Sequence, residues 1–236
     1  MNRVPKHIAI IPDGNRRWAK QHSTSALEGH SEGAGNLMHI VRAAYRMGIK
    51  VITFYMFSTE NWTRSPDEVS ALMALLEHFL RDQKQPMIEE GVRFNTIGDL
   101  TALPATAQEL IKEVKHDTRS GKTIDVVGAL NYGSRDELRR AFHKMHADIN
   151  QGKLSLEQVD EQRISHYLDT SAWPDPELMI RCSGEFRLSN FLLWQLSYSE
   201  VYIANVFWPD FTAHHLEEAV KAYQDRERRL GGSITS

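Results

Sequence analysis

A single cysteine, Cys182, excludes a disulfide framework and fits a reducing compartment. No apolar run reaches the roughly 20 residues that a membrane-spanning helix needs. The first residues carry no basic-then-apolar signal pattern, so the expectation is a cytoplasmic protein. Charge of either sign is not in excess: 28 Lys and Arg stand against 31 Asp and Glu, a net charge of -3. That balance argues against a general nucleic-acid binder and makes any cationic patch local. Gly/Ser linkers, repeats and low-complexity tracts are missing, so residues 1–236 are expected to form one domain with a substantial core. G-x-x-x-x-G-K-[ST] is absent too, which removes the P-loop. His143 and His146, and the adjacent His214 and His215, have no cysteine or carboxylate at zinc-ligand spacing. Cys182 has no evident base partner to make it a nucleophile.

What is present concentrates in His7 to Lys20, HIAIIPDGNRRWAK. His7 to Ile11 reads as a short buried strand. It breaks into Pro12-Asp13-Gly14-Asn15, where Pro and Gly stop pairing and free backbone N–H groups. Arg16, Arg17 and Lys20 add three cations within five residues. Two readings stand for this stretch. It is a charged turn after an edge strand, or it holds a magnesium diphosphate, with Asp13 for the metal and amides and arginines for phosphate oxygens.

Further along, Ser23 to Glu28 is polar and reads as a mobile loop, and a helix is predicted from Gly29 to Gly48. Val51 to Phe57 is a continuous β-branched and aromatic run, a strand covered on both faces. The loop Ser58 to Arg64 follows. Ser65-Pro66-Asp67-Glu68 opens a helix whose apolar arc is widened by Leu75 and Phe79. So wide an arc is either sandwiched in the core or faces an apolar tunnel on one side. Strands are predicted at 92–97, 123–130, 178–181 and 201–203. Helices are predicted at 104–115, from a Ser134–Glu137 capping box to about Ile149, from Ser155, and from Thr212 to Gly231-Gly232. This alternation predicts a mainly parallel sheet flanked by helices, with ligands beyond the carboxyl ends of the strands.

Arg181-Cys182-Ser183-Gly184-Glu185-Phe186-Arg187-Leu188-Ser189-Asn190 is the second informative loop. Its arginines, hydroxyls and a helix start, with Ser189 or Asn190 capping the FLLWQ segment, suit a second anion site. Ordinary pairing of the arginines with Glu177 or Glu185 is the competing reading. Glu200 stands just before an apolar segment and is a candidate second magnesium oxygen.

These residues resemble the cis-prenyltransferases. The likeness is carried by Asp13-Gly14-Asn15 with Arg17-Trp18-Ala19, Gly29-His30-x-x-Gly33, FSTENW at 57–62, IRCSGEFRLSNFLLWQ at 180–195, Tyr198-x-Glu200 and Trp208-Pro209-Asp210-Phe211. It runs in order from His7 to Leu230 and is nearest to the bacterial branch that makes undecaprenyl diphosphate. The resemblance implies an α/β domain with a mainly parallel six-stranded sheet and an apolar tunnel above it. It implies a Mg2+-dependent condensation of isopentenyl diphosphate with an allylic diphosphate, commonly farnesyl diphosphate.

By the same resemblance, Asp13 holds magnesium, and Gly14, Asn15, Arg16, Arg17 and His30 bind the allylic diphosphate, with Trp18 in the same segment. Arg181, Arg187 and Ser189, flanking Leu188, bind isopentenyl diphosphate, with Glu200 on its magnesium. Ser58, Thr59, Glu60, Trp62 and Arg64 belong to a loop that closes over both. Asn61 is the family's candidate proton acceptor. An amide is a feeble base, so Ser58, Glu60 or the departing pyrophosphate is left in contention, with Asn61 orienting. A homodimer and transient peripheral contact with the inner face of the membrane also follow.

Several positions depart from the family pattern. Ala26 stands where an arginine is usual, and Arg16, often glycine, is its candidate replacement. Pro12 replaces a common methionine and Cys182 a common threonine. Met56 is bulkier than the usual small residue and is expected to narrow the tunnel. The helical trans-type prenyl synthases are ruled out by the missing D-D-x-x-D pair. A non-catalytic subunit and a phosphohydrolase remain as competitors. The first is disfavoured because Asp13, Arg17, Arg181, Arg187 and Glu200 are all present, and the second because no water-activating base is evident.

Overall fold

The computed structural model describes residues 4–226. Six strands, β1 (His7–Ile11), β2 (Val51–Ser58), β3 (Val92–Ile97), β4 (Ile124–Tyr132), β5 (Leu178–Arg181) and β6 (Glu200–Ile203), form one sheet in the order β3-β4-β2-β1-β5-β6. Every pairing is parallel. A parallel sheet has both faces covered, and its central strands are accordingly apolar: β1, β4 and β5 are buried at every residue.

The helices are α1 (Asn15–Gln21), α2 (Ala26–Arg46), α3 (Pro66–Glu89), α4 (Ala105–Thr118), α5 (Ser134–Asn150), α6 (Glu161–Tyr167) and α7 (Ala213–Gln224). The larger core lies on the face covered by α2, α3, α4 and α7, where Ile10, Ile40, Phe54, Leu80 and Trp208 are fully buried. The other face is closed by Phe191, Leu192 and Leu196 from the segment after β5.

At the end of β2 the register with β4 slips between Tyr55 and Phe57. Such a bulge breaks strict alternation. Tyr55 packs with the second core, whereas Met56 and Phe57 both face the α2–α3 side. The wide apolar arc of α3 is thereby explained. Leu80 is fully buried, while Leu72, Met73, Leu75, Leu76 and Phe79 line an apolar cleft against Ala34 and Leu37 of α2.

Four local readings are corrected. The predicted mobile loop before Gly29 is a helix start: Ser25 accepts from Glu28 N–H while the Glu28 carboxylate accepts from Ser25 N–H, so α2 begins at Ala26. Arg16 and Arg17 lie on α1, a short helix rather than a loop. Ser134 does not cap α5; its hydroxyl accepts from Leu193 N–H, and Glu137 is buried beneath Tyr132 and Gln195. FLLWQ forms irregular turns instead of a helix, because Asn190 and Leu192 take left-handed backbone angles (φ 63 and 47). The last helix ends at Gln224, and the Gly231-Gly232 stop lies outside the described residues.

Candidate active site

The chain leaves β1 for β2 on one side and returns through β5 on the other, so strand order reverses between β1 and β5. Ligand crevices of open α/β sheets form outside the carboxyl ends at that reversal. Asp13 follows β1 and Arg181 ends β5. The Arg181 side chain, 4% exposed, donates from Nη2 to Asp13 Oδ2 at 2.9 Å and from Nη1 to Ser189 Oγ at 2.9 Å and to the Arg187 carbonyl. Its Nε has no partner among the described residues. Arg17 reaches Asp13 Oδ1 at 3.3 Å and Glu185 at 2.6 Å, and Arg187 lies 3.9 Å from Asp13. One carboxylate thus faces three guanidiniums. Arg187 also pairs with Glu185, so the ordinary ion pair and the cationic pocket coexist.

Backbone geometry explains why this loop has so little side chain. Gly14 has φ 102, and a Cβ there would run into the Ser183 hydroxyl and the Phe207 ring. Ser183 in turn donates to the Asp13 carbonyl at 2.8 Å, tying the two loops together. A Cβ on Gly33 would collide with the Asn15 side-chain oxygen, so α2 has to be bare where Asn15 rests on it. Asn15 Nδ2 donates to His30 Nδ1 at 3.3 Å, which leaves the His30 proton on Nε2. Neither His30 Nε2 nor Asn15 Oδ1 has a partner among the described residues, though both atoms are buried. Burial, then Arg64 and Arg16, lower the His30 pKa to about 4, so the ring is a neutral donor at pH 7.

The segment Ser58–Arg64, built on a 3-10 turn at Thr59–Thr63, borders this basin. Asn61 Oδ1 accepts from Ser58 N–H at 2.9 Å, so in this arrangement its oxygen is occupied and the side chain orients the turn. Glu60 accepts from Asn190 at 3.0 Å, and Trp62 donates to Asn131 at 2.8 Å. Partial burial pushes the Glu60 carboxyl up. Hydrogen bonds from Asn190, its own backbone, Thr59 and Ser58 outweigh that and hold it below its ordinary value. Arg64 pairs with Glu68 at 2.9 Å, and Arg16 approaches the same carboxylate at 3.9 Å.

Three cavities meet at Pro12, Asn15 and His30. One is the apolar cleft between α2 and α3, about 600 Å³. A second, about 1350 Å³, gathers Asp13, Ser58, Glu60, Asn61, Arg64, Arg181, Arg187 and Ser189. A third, about 720 Å³, gathers Asp13, Gly14, Arg16, Arg17, Arg64 and Arg187. Asp13 and Arg187 belong to both polar bays.

Five sequence-predicted positions are not brought to these walls. Trp18 stacks on His22 and donates to Asp210, docking α1. Thr59 bonds Glu60, Trp62 turns to Asn131, and Leu188 packs into the second core. Glu200 opens β6 beside Leu178, at the amino edge of the sheet, and pairs with Arg226 at 2.6 Å. A parallel strand that starts with Glu200 carries it away from the carboxyl edge, so one chain does not join it to Asp13. Sequence reasoning missed Tyr55, whose hydroxyl bonds the Tyr132 and Ser189 carbonyls, and the Asn190 bond to Glu60. It also missed Glu68, for which the four-residue spacing from Arg64 was an available signal.

A family model described as "Putative undecaprenyl diphosphate synthase" matches residues 11–231. The isoprenyl transferase of Chlamydia abortus is 48% identical over 235 residues, covering 98% of this chain and 94% of that one. The crystal structure of lavandulyl diphosphate synthase from Lavandula x intermedia, in complex with dimethylallyl diphosphate, superposes with a TM-score of 0.95 at 36% identity, over 97% of this chain and 99% of that one. A probable undecaprenyl diphosphate synthase from Campylobacter jejuni gives 0.82 at 31%, over 98% and 100%. Its sequence and its sheet agree on the assignment: this chain is a prenyl transferase of the undecaprenyl diphosphate synthase family.

Proposed function

We propose that the chain condenses isopentenyl diphosphate with an allylic diphosphate, farnesyl diphosphate in the first instance, and repeats the step to a long polyprenyl diphosphate such as undecaprenyl diphosphate, the lipid-carrier precursor of cell-wall synthesis. The observation that carries this reading is the meeting of two guanidinium-lined bays and one apolar cleft at Pro12, Asn15 and His30. Two diphosphates need two cationic sites, and a growing hydrocarbon needs an exit from water.

In the step, the allylic C1–O bond breaks and its electron pair leaves with pyrophosphate. C4 of isopentenyl diphosphate bonds to C1, and a proton is lost from C2. Arg16, Arg17, Arg64 and the neutral His30 N–H stabilise the charge gathering on the leaving group. Arg181, Arg187 and Ser189 hold the nucleophile's diphosphate so that its double bond faces the allylic carbon. Asn61 orients the lid, and Ser58, Glu60 or the released pyrophosphate takes the proton. Trp62 and Arg64, closing with the lid, keep water from the developing cation.

The donor set suits Mg2+. Asp13 offers one carboxylate, and no cluster of three His, Cys, Asp or Glu that could hold a metal occurs among the described residues. Magnesium is commonly held by one or two carboxylates plus substrate phosphates. Bound by Asp13 and a diphosphate, it would neutralise charge on the leaving group.

Each added five-carbon unit buries about 4 kcal/mol of hydrocarbon at most, at about 0.8 kcal/mol per carbon. Product release is therefore slow and is aided by transient contact with a membrane. Among the described residues no helix is long and apolar enough to cross one. The protein works in the cytoplasm, as a homodimer for which the apolar residues between Val201 and Phe211 are compatible. Incubation with labelled isopentenyl diphosphate, farnesyl diphosphate and magnesium tests the reading. Chain elongation supports it; binding without turnover would indicate a non-catalytic subunit, and phosphate release alone a phosphohydrolase.

A further inference from the structure

Two asparagines, Asn131 and the bay-lining Asn190, each hold the lid by a side-chain hydrogen bond. Asn131, at the end of β4, is 6% exposed, and Asn190 follows Ser189. Both have left-handed backbone angles, φ 45 and 63, which asparagine tolerates better than most side chains. Each amide commits one end to the lid and the other to fixed scaffold. Asn131 Oδ1 accepts from Trp62 Nε1 at 2.8 Å while its Nδ2 donates to the Asp99 carbonyl at 2.7 Å. Asn190 Nδ2 donates to Glu60 Oε1 at 3.0 Å while its Oδ1 accepts from Arg135 N–H, at the start of α5, at 3.0 Å. The scaffold ends are reinforced by backbone bonds, Asp99 N–H to the Asn131 carbonyl and Ser134 N–H to the Asn190 carbonyl. Between the two anchored residues, Glu60 and Trp62, lies only Asn61.

We infer that Asn131 and Asn190 are positioning residues that latch the Ser58–Arg64 lid over the diphosphate basin before substrate arrives. Ser189, which precedes Asn190, bonds Arg181, so the Asn190 latch also ties the lid to the arm that carries isopentenyl diphosphate in the proposed reaction. A latched lid keeps the binding-competent state populated, and unlatching lowers apparent affinity by the fraction lost. The effect falls on KM and leaves kcat at saturation in place.

Asn190→Asp is the discriminating variant. Aspartate also tolerates the left-handed backbone and still accepts from Arg135 N–H, but it sets a carboxylate against Glu60. Loss of a hydrogen bond to a charged group corresponds to about a tenfold effect or more. The expected result is amide exchange in residues 58–64 of the ligand-free protein faster by about tenfold, and KM for isopentenyl diphosphate raised by a similar factor. A merely structural role would lower the active fraction, and so kcat, leaving KM alone. Glu60→Gln supplies the rescue, because its side-chain amide can donate to the carboxylate that Asn190→Asp introduces. With Glu60→Gln as the reference, adding Asn190→Asp should then speed exchange in residues 58–64 by under about threefold. Trp62→Phe keeps a ring on Phe57 and removes only the indole donor, and it should speed exchange in the same segment.

Unchanged exchange in both Asn190→Asp and Trp62→Phe, or an equal acceleration of exchange by Asn190→Asp with and without Glu60→Gln, overturns the latch. The kinetic arm rests on the proposed condensation. If the parent protein makes no prenyl chain, that reading fails, while the exchange arm still decides the latch.

Discussion

Asn substituted for Asp13 should separate anion binding from turnover. The Asp13 carboxylate is the counter-ion shared by Arg17, Arg181 and Arg187, at 3.3, 2.9 and 3.9 Å. A phosphate oxygen bonded to the same guanidiniums would lie roughly 5 Å from that carboxylate. At an effective dielectric constant of about 20 the repulsion is about 3 kcal/mol per pair of unit charges. The Asp13 side chain is 25% exposed, and screening by solvent and salt halves this to about 1.5 kcal/mol, near tenfold in an equilibrium constant. Asp13→Asn should therefore bind inorganic pyrophosphate about tenfold more tightly than the parent in the presence of a chelator, measured by calorimetry. With magnesium the order should reverse, because the carboxylate that would hold the ion in the proposed reaction is gone. Elongation of farnesyl diphosphate should fall by at least about a hundredfold. The variant should also melt lower, since the nearly buried Arg181 loses its partner. Weaker pyrophosphate binding in chelator, or chain growth at the parental rate, would refute the reasoning.

Met56→Ala removes three heavy atoms where the β2 bulge turns two successive side chains into the α2–α3 face, so the product should lengthen by about one five-carbon unit. Radiochromatography reads this directly, and an unchanged or shorter ladder counts against it. His7, buried between Thr53 and the Pro174 carbonyl, has its pKa lowered by burial from 6.5 to about 4. The unfolded chain then takes up the proton first, so this contribution to stability is whole above pH 6.5 and is lost as pH falls toward 4. The full loss is about 3 kcal/mol. Because His30 is depressed likewise, His7→Gln should roughly halve the slope of denaturant-derived stability between those pH values rather than abolish it. Without detergent, a rapid first turnover should precede a slower steady state, and detergent should remove the difference. Equal single-turnover and steady-state rates would contradict slow release.

Much of this was legible from the residues alone. HIAII and VITFYMF announced buried parallel strands, and strand–helix alternation placed Asp13 and Arg181 at one edge of the sheet. The sequence did not reveal the bay walls, because these depend on left-handed backbone at Ser183, Ser189 and Asn190, residues with no glycine to advertise it. Capping boxes were ambiguous in both directions. Ser25–Glu28 forms one inside a stretch whose composition suggested a loop, whereas Ser134–Glu137 has the pattern but gives its hydroxyl to Leu193 and its acid to Tyr132. α1 escaped notice because its seven residues are too few to show a period. Glu200 lies far from Asp13 within one chain for a topological reason. A residue that opens a parallel strand lies at the edge opposite to one that closes its neighbour.

Asp13 and Arg181 are separated by 168 positions along the chain and joined by one hydrogen bond. Closing so long a loop costs about 4.5 kcal/mol on logarithmic scaling, whereas β1 and β2 need a far shorter excursion. The central strand therefore has its left-hand neighbours long before its right-hand one emerges from the ribosome. A nascent chain that has made everything up to α6 holds four of the six strands, with an acidic side chain and no guanidinium from β5 to meet it. Competence arrives late in synthesis, with the docking of a four-residue strand, and a polypeptide cut short before that point would be chemically inert.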